Sequence, residues 1–400
     1  MKFALVSSAI PPAQSGQAMV IYHLLRSIDP DHYCLITQRN FQTYTQRGNC
    51  TSTLPGNYHF LQPEYQVTRG ICRTASSLRW NLPLRSLLRI RVRQITRILK
   101  QEKCKAVVAC TGDLFDPPAA YLASLSLGIP FFFYIFDDFQ YQWIEPSQRA
   151  FSQYYEPLLV KGSKQFFVPN ECMYYEYLRR YGVRGIVLHN PCDLSAYPAK
   201  EDENAGETRN EVKVVYTGAV YEAHYDAFRN LLDAIRLLGR PDLNLHIYTP
   251  QSPTKLKSNG ISGAVVFHKH QPASRIPAIQ RDADILFLPL AFNSPYQEVI
   301  RTASPGKTGE LLAAGRPILV HAPKDSFVSW YFRKYQCGIV VDSNDPGQLR
   351  EAIKQALMNP MLRSCLAAAA RERAEKDFDL DKIQRIFLDT VTEPIKPCSI

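Results

Sequence analysis

The sequence lacks an apolar run long enough to cross a membrane. No stretch of its 400 residues approaches the ~20 consecutive apolar residues of a membrane-spanning helix. The first apolar run, residues 3–6, is shorter than the hydrophobic region of a signal peptide. We therefore expect a cytoplasmic protein. Hydrophobic residues make up 46% of the chain and charged residues 21%, a balance typical of globular proteins that excludes disorder for most of the chain.

The sequence also has few signs of a metal or a tightly bound cofactor. Its ten cysteines form no C-x-x-C pair and no Cys/His spacing of a zinc site, which predicts reduced and mostly buried thiols. No G-x-G-x-x-G is present, so a dinucleotide fingerprint is absent. Gly306-Lys307-Thr308 resembles the end of a P-loop, but Arg301 occupies the position of that motif's first glycine. We expect neither a metal site nor a cofactor.

Positive charge is concentrated in one segment. The formal net charge is +10, and residues 69–105 contain eleven Lys or Arg and a single acid. Residues 84–100 place their leucines and isoleucines on roughly one side of a predicted helix. This helix either packs on the core and leaves a solvated basic side, or docks on an anionic membrane or acceptor through Arg89, Arg91 and Arg93. Nucleic-acid binding is a weaker alternative, because no recognition motif accompanies the charge.

Short apolar runs alternate with amphipathic runs along the chain. Continuous apolar runs bounded by turn residues predict strands of a parallel sheet that is covered on both faces. They occur at 3–7, 106–109, 131–136, 165–168, 185–188, 212–218, 243–248, 265–267, 285–288, 318–320 and 339–341. Helices are predicted between them, for example over 225–238, where apolar residues recur at helical spacing. Repeated βα units predict doubly wound sheets.

A polar stretch divides this alternation into two halves of similar length. We predict an α/β protein with two Rossmann-like doubly wound domains facing a central cleft, residues 1–195 and 212–375, joined by a linker over 196–211. The tail, residues 376–400, is expected to pack back on the first domain. Open α/β sheets bind ligands at the carboxyl ends of their strands, so the cleft is the expected site.

The segment 303–320 carries the strongest helix-boundary signals. Ser304 is a suitable N-cap, Pro305 suits the first helical position, and Gly315 suits the position after the last helical residue. These residues predict a helix over about 305–314.

Two charged residues fall in the first turn of that predicted helix. The helix dipole disfavours the cation Lys307 there by ~0.3–1 kcal/mol, and an anion bound at the helix start would reverse this cost. Glu310 lies on the same side and is placed to accept hydrogen bonds from ribose hydroxyls. The alternative is that the two residues form a plain surface pair.

The loop after the first strand is a second candidate. Residues 7–17 lead from that strand into a helix, and Gly16 permits close approach of the backbone to a ligand. The alternative is an ordinary turn.

The order of these motifs resembles that of GT-B glycosyltransferases, in particular glycosyltransferase family 4. Residues 303–320 resemble the family's nucleotide-sugar segment, P-x-K-x-x-E-x-L-A-A-G-x-P. The other matching segments are the Pro-Pro…Gly opening loop, residues 168–193 (S-E … Y-G-V … P-N-G-V-D), Tyr216-Thr217-Gly218, and residues 337–346 (C-G-x-x-V … D-P). The resemblance spans nearly the whole chain.

The resemblance implies transfer of a sugar from a nucleotide-sugar donor, with retention and without a metal ion. Glu310 would hold the donor ribose, while Lys307 and the backbone amides around Ser304, Gly306 and Thr308 would hold the diphosphate. Stabilising the departing diphosphate would be the main catalytic contribution. The implied acceptor is a glycan or a lipid-linked glycan at the inner membrane surface, in surface polysaccharide or glycoconjugate biosynthesis.

The sequence departs from the family pattern at two positions that bear on catalysis. Thr302 stands where the family often has a glutamate, and Glu298 is the nearest upstream acid that could replace it. Phe136 stands where the family often has a histidine. It is followed by Asp137 and Asp138, which are candidates for contact with the donor sugar or the acceptor, or alternatively for a helix cap.

A third departure follows the second-domain glycine, Gly218. The Arg and Lys that the family usually carries there are missing, and His224 is the one candidate donor-binding side chain that remains. By the same resemblance, Gly16 would let the first-domain loop reach the donor. These departures leave two rival functions open, a catalytically silent binding protein of this fold and a sugar-nucleotide epimerase.

Overall fold

The structure is a computed structural model that describes residues 1–13, 15–38, 53–62, 82–198 and 211–393. Most of the predicted linker, and residues 69–81 of the basic segment, lie outside the described residues. The chain forms two compact units. The first comprises Met1–Pro191 together with the chain from Leu380 onward, and the second comprises Cys192–Asp379.

The first unit is built on a sheet of seven parallel strands. They are β1 (Phe3–Val6), β2 (Tyr33–Thr37), β3 (Asn57–Phe60), β4 (Ala106–Cys110), β5 (Phe131–Tyr134), β6 (Gln165–Val168) and β7 (Ile186–Val187). Their order in the sheet is β3-β2-β1-β4-β5-β6-β7. Every residue of β1, β2, β4 and β5 is buried, as continuous apolar runs require in a sheet covered on both faces.

Six described helices belong to this unit. They are α1 (Gly16–Leu25), α2 (Leu82–Gln101), α3 (Asp116–Leu127), α4 (Pro146–Gly162), α5 (Glu171–Tyr181) and, from the end of the chain, α14 (Leu380–Thr392). Helix α14 packs against α1 and β4, and its Phe387 ring contacts the rings of Phe3, Tyr134 and Phe167. The last helix of the chain therefore covers one face of the first sheet.

The second unit has a sheet of six parallel strands. They are β8 (Val212–Thr217), β9 (Leu243–Thr249), β10 (Val265–Lys269), β11 (Ile285–Pro289), β12 (Ile318–His321) and β13 (Ile339–Val341). Their order is β10-β9-β8-β11-β12-β13. The sequence order reverses direction at β8, which is the position where open α/β sheets bind ligands.

Eight described helices connect and flank these strands. They are α6 (Tyr225–Leu238), α7 (Pro253–Ser258), α8 (Ile276–Arg281), α9 (Gln297–Thr302), α10 (Thr308–Ala313), α11 (Phe327–Tyr335), α12 (Pro346–Met358) and α13 (Pro360–Asp377). Helix α6 has the predicted bounds. Its buried residues Phe228, Leu231, Leu232 and Ile235 follow the spacing of one helical face.

The predicted fold class, α/β with two doubly wound Rossmann-like sheets, is confirmed. All named strand pairs in both sheets are parallel. Among the described residues, no helix combines the length and the apolar character that a membrane span requires.

Candidate functional site

Lys307 places its ammonium at the carboxyl end of β8. Its Nζ donates to the backbone oxygen of Thr217 at 2.8 Å and lies 3.6 Å from the centre of the Tyr216 ring. An ammonium has three N–H donors, and within the described part of the chain Lys307 uses one of them. Two N–H groups are therefore left for a ligand.

Gly218 makes room for this ammonium. Its φ is 127°, a conformation that residues with a Cβ rarely adopt. A Cβ at this position would also lie 2.7 Å from Lys307 Nζ. Gly218, which follows β8, therefore has a backbone conformation that favours glycine, and its missing side chain leaves room for the Lys307 ammonium.

The helix that follows Lys307 starts later than the sequence predicts. Ser304 is not its N-cap; α10 begins at Thr308 and Lys307 occupies the N-cap position without a side-chain cap. The backbone N–H and the hydroxyl of Thr308 both donate to Pro305 O, at 2.9 Å and 2.7 Å. These bonds close a turn through Gly306 before the helix starts. Thr308 therefore has neither group available for a diphosphate, and the six-residue helix has a weaker dipole than predicted.

Close packing fixes α10 in this position. A Cβ on Gly309 would lie 2.8 Å from Cys192 Cβ and 3.0 Å from Phe378 Cβ, so only a glycine lets the helix approach this closely. Gly315, with a φ of 70°, follows the end of α10 as predicted.

The Lys307 side chain is half-buried, and protein atoms surround its ammonium closely. This loss of water lowers the pKa of Lys307 to about 7, while the nearby Glu310 carboxylate acts in the opposite direction. A bound anion would favour the charged form. An anion bound beside Lys307 would therefore be accompanied by uptake of a proton.

Glu310 lies in the first turn of α10, beside a buried amide. Burial raises the pKa of Glu310, and the Lys307 charge and a hydrogen bond from Gln280 oppose the rise. Gln280 is fully buried. It accepts from the Tyr197 hydroxyl at 2.9 Å and donates to Thr217 Oγ1 at 3.0 Å. These two hydrogen bonds hold the Gln280 amide at the end of β8.

His224 is the third polar side chain at this end of the sheet. It is buried, and its ring contacts Tyr216 and Tyr221. Burial and the Lys307 charge lower the pKa of His224 to about 3, so the ring is neutral at pH 7. Its Nδ1 is buried and has no hydrogen-bond partner among the described residues. Buried polar atoms normally have hydrogen-bond partners, so His224 Nδ1 is a candidate for a hydrogen bond with a ligand.

The position where the resemblance expects a glutamate is turned inward. Thr302 is buried and its hydroxyl donates to Glu298 O at 3.2 Å within α9. Glu298 lies in the first turn of that helix and is half-buried.

In the first unit, the structure separates the two candidate aspartates. Asp137 is exposed just after β5. Asp138 is buried and forms an ion pair with Arg180, and its Oδ1 also accepts from the backbone N–H groups of Gln140 and Tyr141 at 3.0 Å and 3.2 Å. The Asp138 carboxylate therefore holds the loop after β5 by capping a turn and not a helix, since α4 begins only at Pro146, and its contact with a donor or acceptor stays a prediction.

The loop candidate has a simple geometry. Ser15 caps α1 by accepting from Ala18 N at 3.2 Å. Gly16, the first residue of α1, is exposed, and a Cβ added there would meet no atom within 4 Å. Nothing in the described surroundings of Gly16 requires a glycine.

The three arginines proposed to face an acceptor or a membrane do not share one environment. Arg89 and Arg93 are exposed. Arg91 is fully buried, with its Nε 4.0 Å from Asp116 Oδ1. The prediction that Arg91 lies on the docking face is wrong, because it follows Leu87 and Leu88 onto the buried side of α2. Packing of this helix on the core is confirmed by its six buried leucines and isoleucines, Leu84, Leu87, Leu88, Ile95, Ile98 and Leu99.

Sequence reasoning missed three residues at this site. Gln280, Tyr216 and Thr217 contact or link Lys307 and Glu310, but they come from two different parts of the chain, and Tyr216 and Thr217 were predicted only as the end of a strand. A polar residue such as Gln280 has no distinguishing local signal, since its burial follows only from packing.

Comparison with known proteins supports this reading of the fold. Residues 211–359 match the family model described as "Glycosyl transferases group 1". The structure of HepE from Anabaena in complex with UDP-glucose is similar over 98% of this chain and 100% of that chain, with a TM-score of 0.67 and 14% identity. This chain has the GT-B fold. The fold resemblance predicted from the sequence is confirmed.

Other GT-B structures are similar over nearly the whole chain. Sucrose-phosphate synthase from Thermosynechococcus elongatus aligns over 96% of this chain and 97% of its own, with a TM-score of 0.67 and 13% identity. The lipopolysaccharide outer core galactosyltransferase WaaB aligns over 98% of both chains, with a TM-score of 0.62 and 12% identity. No curated protein sequence matches the chain.

Proposed function

We propose that this GT-B protein is a family 4-like glycosyltransferase that moves a sugar from a nucleotide-sugar donor to a glycan or lipid-linked acceptor, with retention of configuration. The observation that carries the proposal is the Lys307 ammonium at the end of β8. Among the described residues it donates one hydrogen bond, to Thr217 O, so two of its N–H groups are left for a ligand. Complexes of HepE with UDP and UDP-glucose support a donor of this class.

The diphosphate of the donor is placed beside Lys307. Its charge would be met by the ammonium, and the neutral His224 ring offers the otherwise unpartnered Nδ1 to a phosphate or to the sugar. Negative charge grows on the diphosphate as the sugar leaves, so a fixed cation at this point stabilises the transition state more than the ground state. We propose that these side chains do this without a metal ion.

The ribose of the donor is placed beside Glu310. The carboxylate accepts hydrogen bonds from two neighbouring hydroxyls, and Gln280 holds it in position. Glu298 is the alternative acid, but it belongs to α9, a different helix.

The acceptor is placed on the first unit. Asp137 is exposed at the carboxyl end of its sheet, where it can contact an acceptor hydroxyl or the transferred sugar, and Gly16 begins the helix after the neighbouring loop. The exposed side of α2 carries Arg85, Arg89, Arg93, Arg97 and Lys100. This basic face suits an anionic membrane surface that presents a lipid-linked acceptor, and the similar structure of WaaB is that of a lipopolysaccharide outer core galactosyltransferase.

A donor panel tests the proposed transfer. We expect nucleotide release from one of a set of UDP-, GDP- and ADP-sugars, and we expect an acceptor glycan or lipid-linked glycan to make the release faster. The reaction should not require added magnesium or manganese. Proton NMR of the product is expected to show the anomeric configuration of the donor. Binding without release from any donor would instead favour the silent binding protein, and interconversion of sugars without transfer would favour the epimerase.

Replacing Glu310 with alanine tests the ribose contact. Loss of a charge-assisted hydrogen bond of ~1.5–3 kcal/mol should weaken UDP binding at least about tenfold. Titration calorimetry should show this loss with UDP but not with 2′,3′-dideoxy-UDP, because the hydroxyls that Glu310 would hold are missing from the second nucleotide. Glu298→Ala serves as the matched control and should leave both affinities unchanged. An equal loss for both nucleotides would remove Glu310 from the ribose.

A further inference from the structure

A cluster of potential metal ligands lies in the first unit, away from the carboxyl ends of its strands. Cys34 lies near the start of β2, His59 is in β3, and Glu102 and Cys104 precede β4. The Cys34 Sγ, His59 Nε2 and Glu102 carboxylate oxygen all lie within 4.8 Å of one another. The Cys104 Sγ lies 3.6 Å from the Cys34 Sγ.

We propose that Cys34, Cys104, His59 and Glu102 form a structural zinc site. Two thiolates, an imidazole and a carboxylate are ligands that Zn²⁺ takes in proteins, and four-coordinate sites of this kind are structural. Nothing in the proposed glycosyl transfer uses these residues.

Two pairs of ligand atoms lie near the separations of a tetrahedral site, whereas Cys104, which is outside the group of three within 4.8 Å, has to move toward the ion. In a tetrahedral site, two sulfurs at their usual distance from zinc are ~3.8 Å apart, compared with 3.6 Å between the two cysteines here. A nitrogen and an oxygen ligand are ~3.3 Å apart in such a site, compared with 2.8 Å between His59 Nε2 and Glu102 Oε1. Each pair has to open by a few tenths of an ångström.

The neighbours of Glu102 suit a carboxylate that binds a metal. Lys2 Nζ donates to Oε2 at 2.5 Å, and Asn57 Nδ2 lies 3.4 Å from the same oxygen. Hydrogen bonds of this kind orient a ligating carboxylate. Oε1 lies 3.3 Å from Asn57 Nδ2 and 2.8 Å from His59 Nε2, so the ion would replace the contact between His59 and this oxygen. Two thiolates, one carboxylate and Zn²⁺ leave one net negative charge, which the Lys2 ammonium neutralises.

The placement of the cluster fits a structural role and allows an ion to enter. The four ligands join β2, β3 and the turn before β4, so one ion would tie together the amino-terminal side of the sheet. Cys34 is fully buried, whereas the side chains of His59 and Glu102 keep 19% and 10% of their exposure. The cysteine spacing could not predict the site, because the ligands come from three separate points between residues 34 and 104.

Zinc content of the intact protein tests this proposal. Protein purified under reducing conditions and passed through a desalting column with one equivalent of zinc should retain one zinc per chain by elemental analysis. Cobalt in place of zinc should give sulfur-to-metal charge-transfer absorption. His59→Ala and Cys104→Ser should each lower zinc affinity by more than about 100-fold, since even an outer partner of a ligand contributes about 10- to 100-fold. Cys365→Ser, at an exposed cysteine, should change nothing.

A thermal melt separates a metal site from a folding defect. Zinc should raise the melting midpoint of the wild-type protein and of Cys365→Ser, but not that of His59→Ala. The His59 side chain is partly exposed, so we expect His59→Ala to fold. The proposal is overturned if reduced wild-type protein retains no zinc above the level of His59→Ala. It is equally overturned if Cys34 and Cys104 form a disulfide and the reduced protein gives no thiolate absorption with cobalt.

Discussion

Replacing Lys307 with methionine is expected to abolish most of the affinity for a nucleotide sugar. Methionine keeps the length and the apolar stem of the side chain but removes every N–H donor. A charge-assisted hydrogen bond to phosphate contributes ~2–3 kcal/mol, so the Kd for UDP-glucose should rise roughly 30- to 150-fold. Titration calorimetry with UDP-glucose, and with the other donors of the panel, measures the change.

The same lysine predicts how donor binding depends on pH. The pKa of Lys307 is lowered to about 7, and bound diphosphate would raise it, so binding takes up a proton. Wild-type affinity should therefore be highest below pH 7 and fall as the pH rises, by up to about tenfold per unit until the pKa of the complex is reached. The diphosphate diester of the donor is fully ionised throughout this range, and Lys307→Met should show no such slope.

Stability measurements distinguish loss of the site from loss of the fold. The lowered pKa means that the unfolded chain holds this proton more tightly than the folded one, so the charged lysine destabilises the folded protein at pH 7 and below. Lys307→Met should therefore have a melting midpoint no lower than that of the wild type. Unchanged UDP-glucose affinity in a folded variant would remove the proposed diphosphate site.

Replacing Arg180 with methionine is expected to cause the largest loss of stability. The Arg180 guanidinium pairs with Asp138 and lies 3.0 Å from Glu156 Oε2, and both carboxylates are buried. Removing one partner of a buried ionic cluster typically costs about 3–5 kcal/mol, because the remaining charges stay buried without compensation. Urea unfolding at pH 7.5 measures the loss.

The dependence of this loss on pH follows from Glu156. Burial, together with the nearby Asp138 charge, raises the pKa of Glu156 to about 7, and loss of Arg180 raises it further. The folded state then binds a proton more tightly than the unfolded state, so stability is highest near pH 5 and falls as the pH rises through the folded pKa. The deficit of Arg180→Met should accordingly be smaller at pH 5 than at pH 8.

The neighbouring arginine supplies the control for this cluster. Arg179 pairs with Glu176 on the same helix and is largely exposed, so Arg179→Met should leave the midpoint of urea unfolding close to that of the wild type. Equal effects of the two substitutions would contradict the role assigned to Arg180.

Patterns that depend on near neighbours in sequence were predicted well. Helix α6 has its predicted bounds because one apolar stripe records which side of the helix is buried. Strands β1, β4 and β6 were predicted because the sequence of a strand that is covered on both faces is a continuous apolar run. Strand β3, by contrast, has no fully buried residue and carries no such run, so only its pairing with β2 reveals it.

Residues with charge were predicted less well, because their environment depends on distant contacts. Arg91 looked like its neighbours Arg89 and Arg93, yet its position on α2 turns it toward Asp116. Asp138 looked equivalent to Asp137 until α5 placed Arg180 against it. The helix start near Ser304 was misplaced because the bonds from Thr308 to Pro305 close a turn first.

The sequence alone determined the two parallel α/β sheets, because the burial of regular elements is a local property. Only the tertiary structure decided what the candidate site residues meet. It placed the Lys307 ammonium beside Gly218 and Tyr216, and it placed Gln280 near Glu310. In the first unit it brought together Cys34, His59, Glu102 and Cys104. Such contacts join residues far apart in the chain, and no local pattern records them.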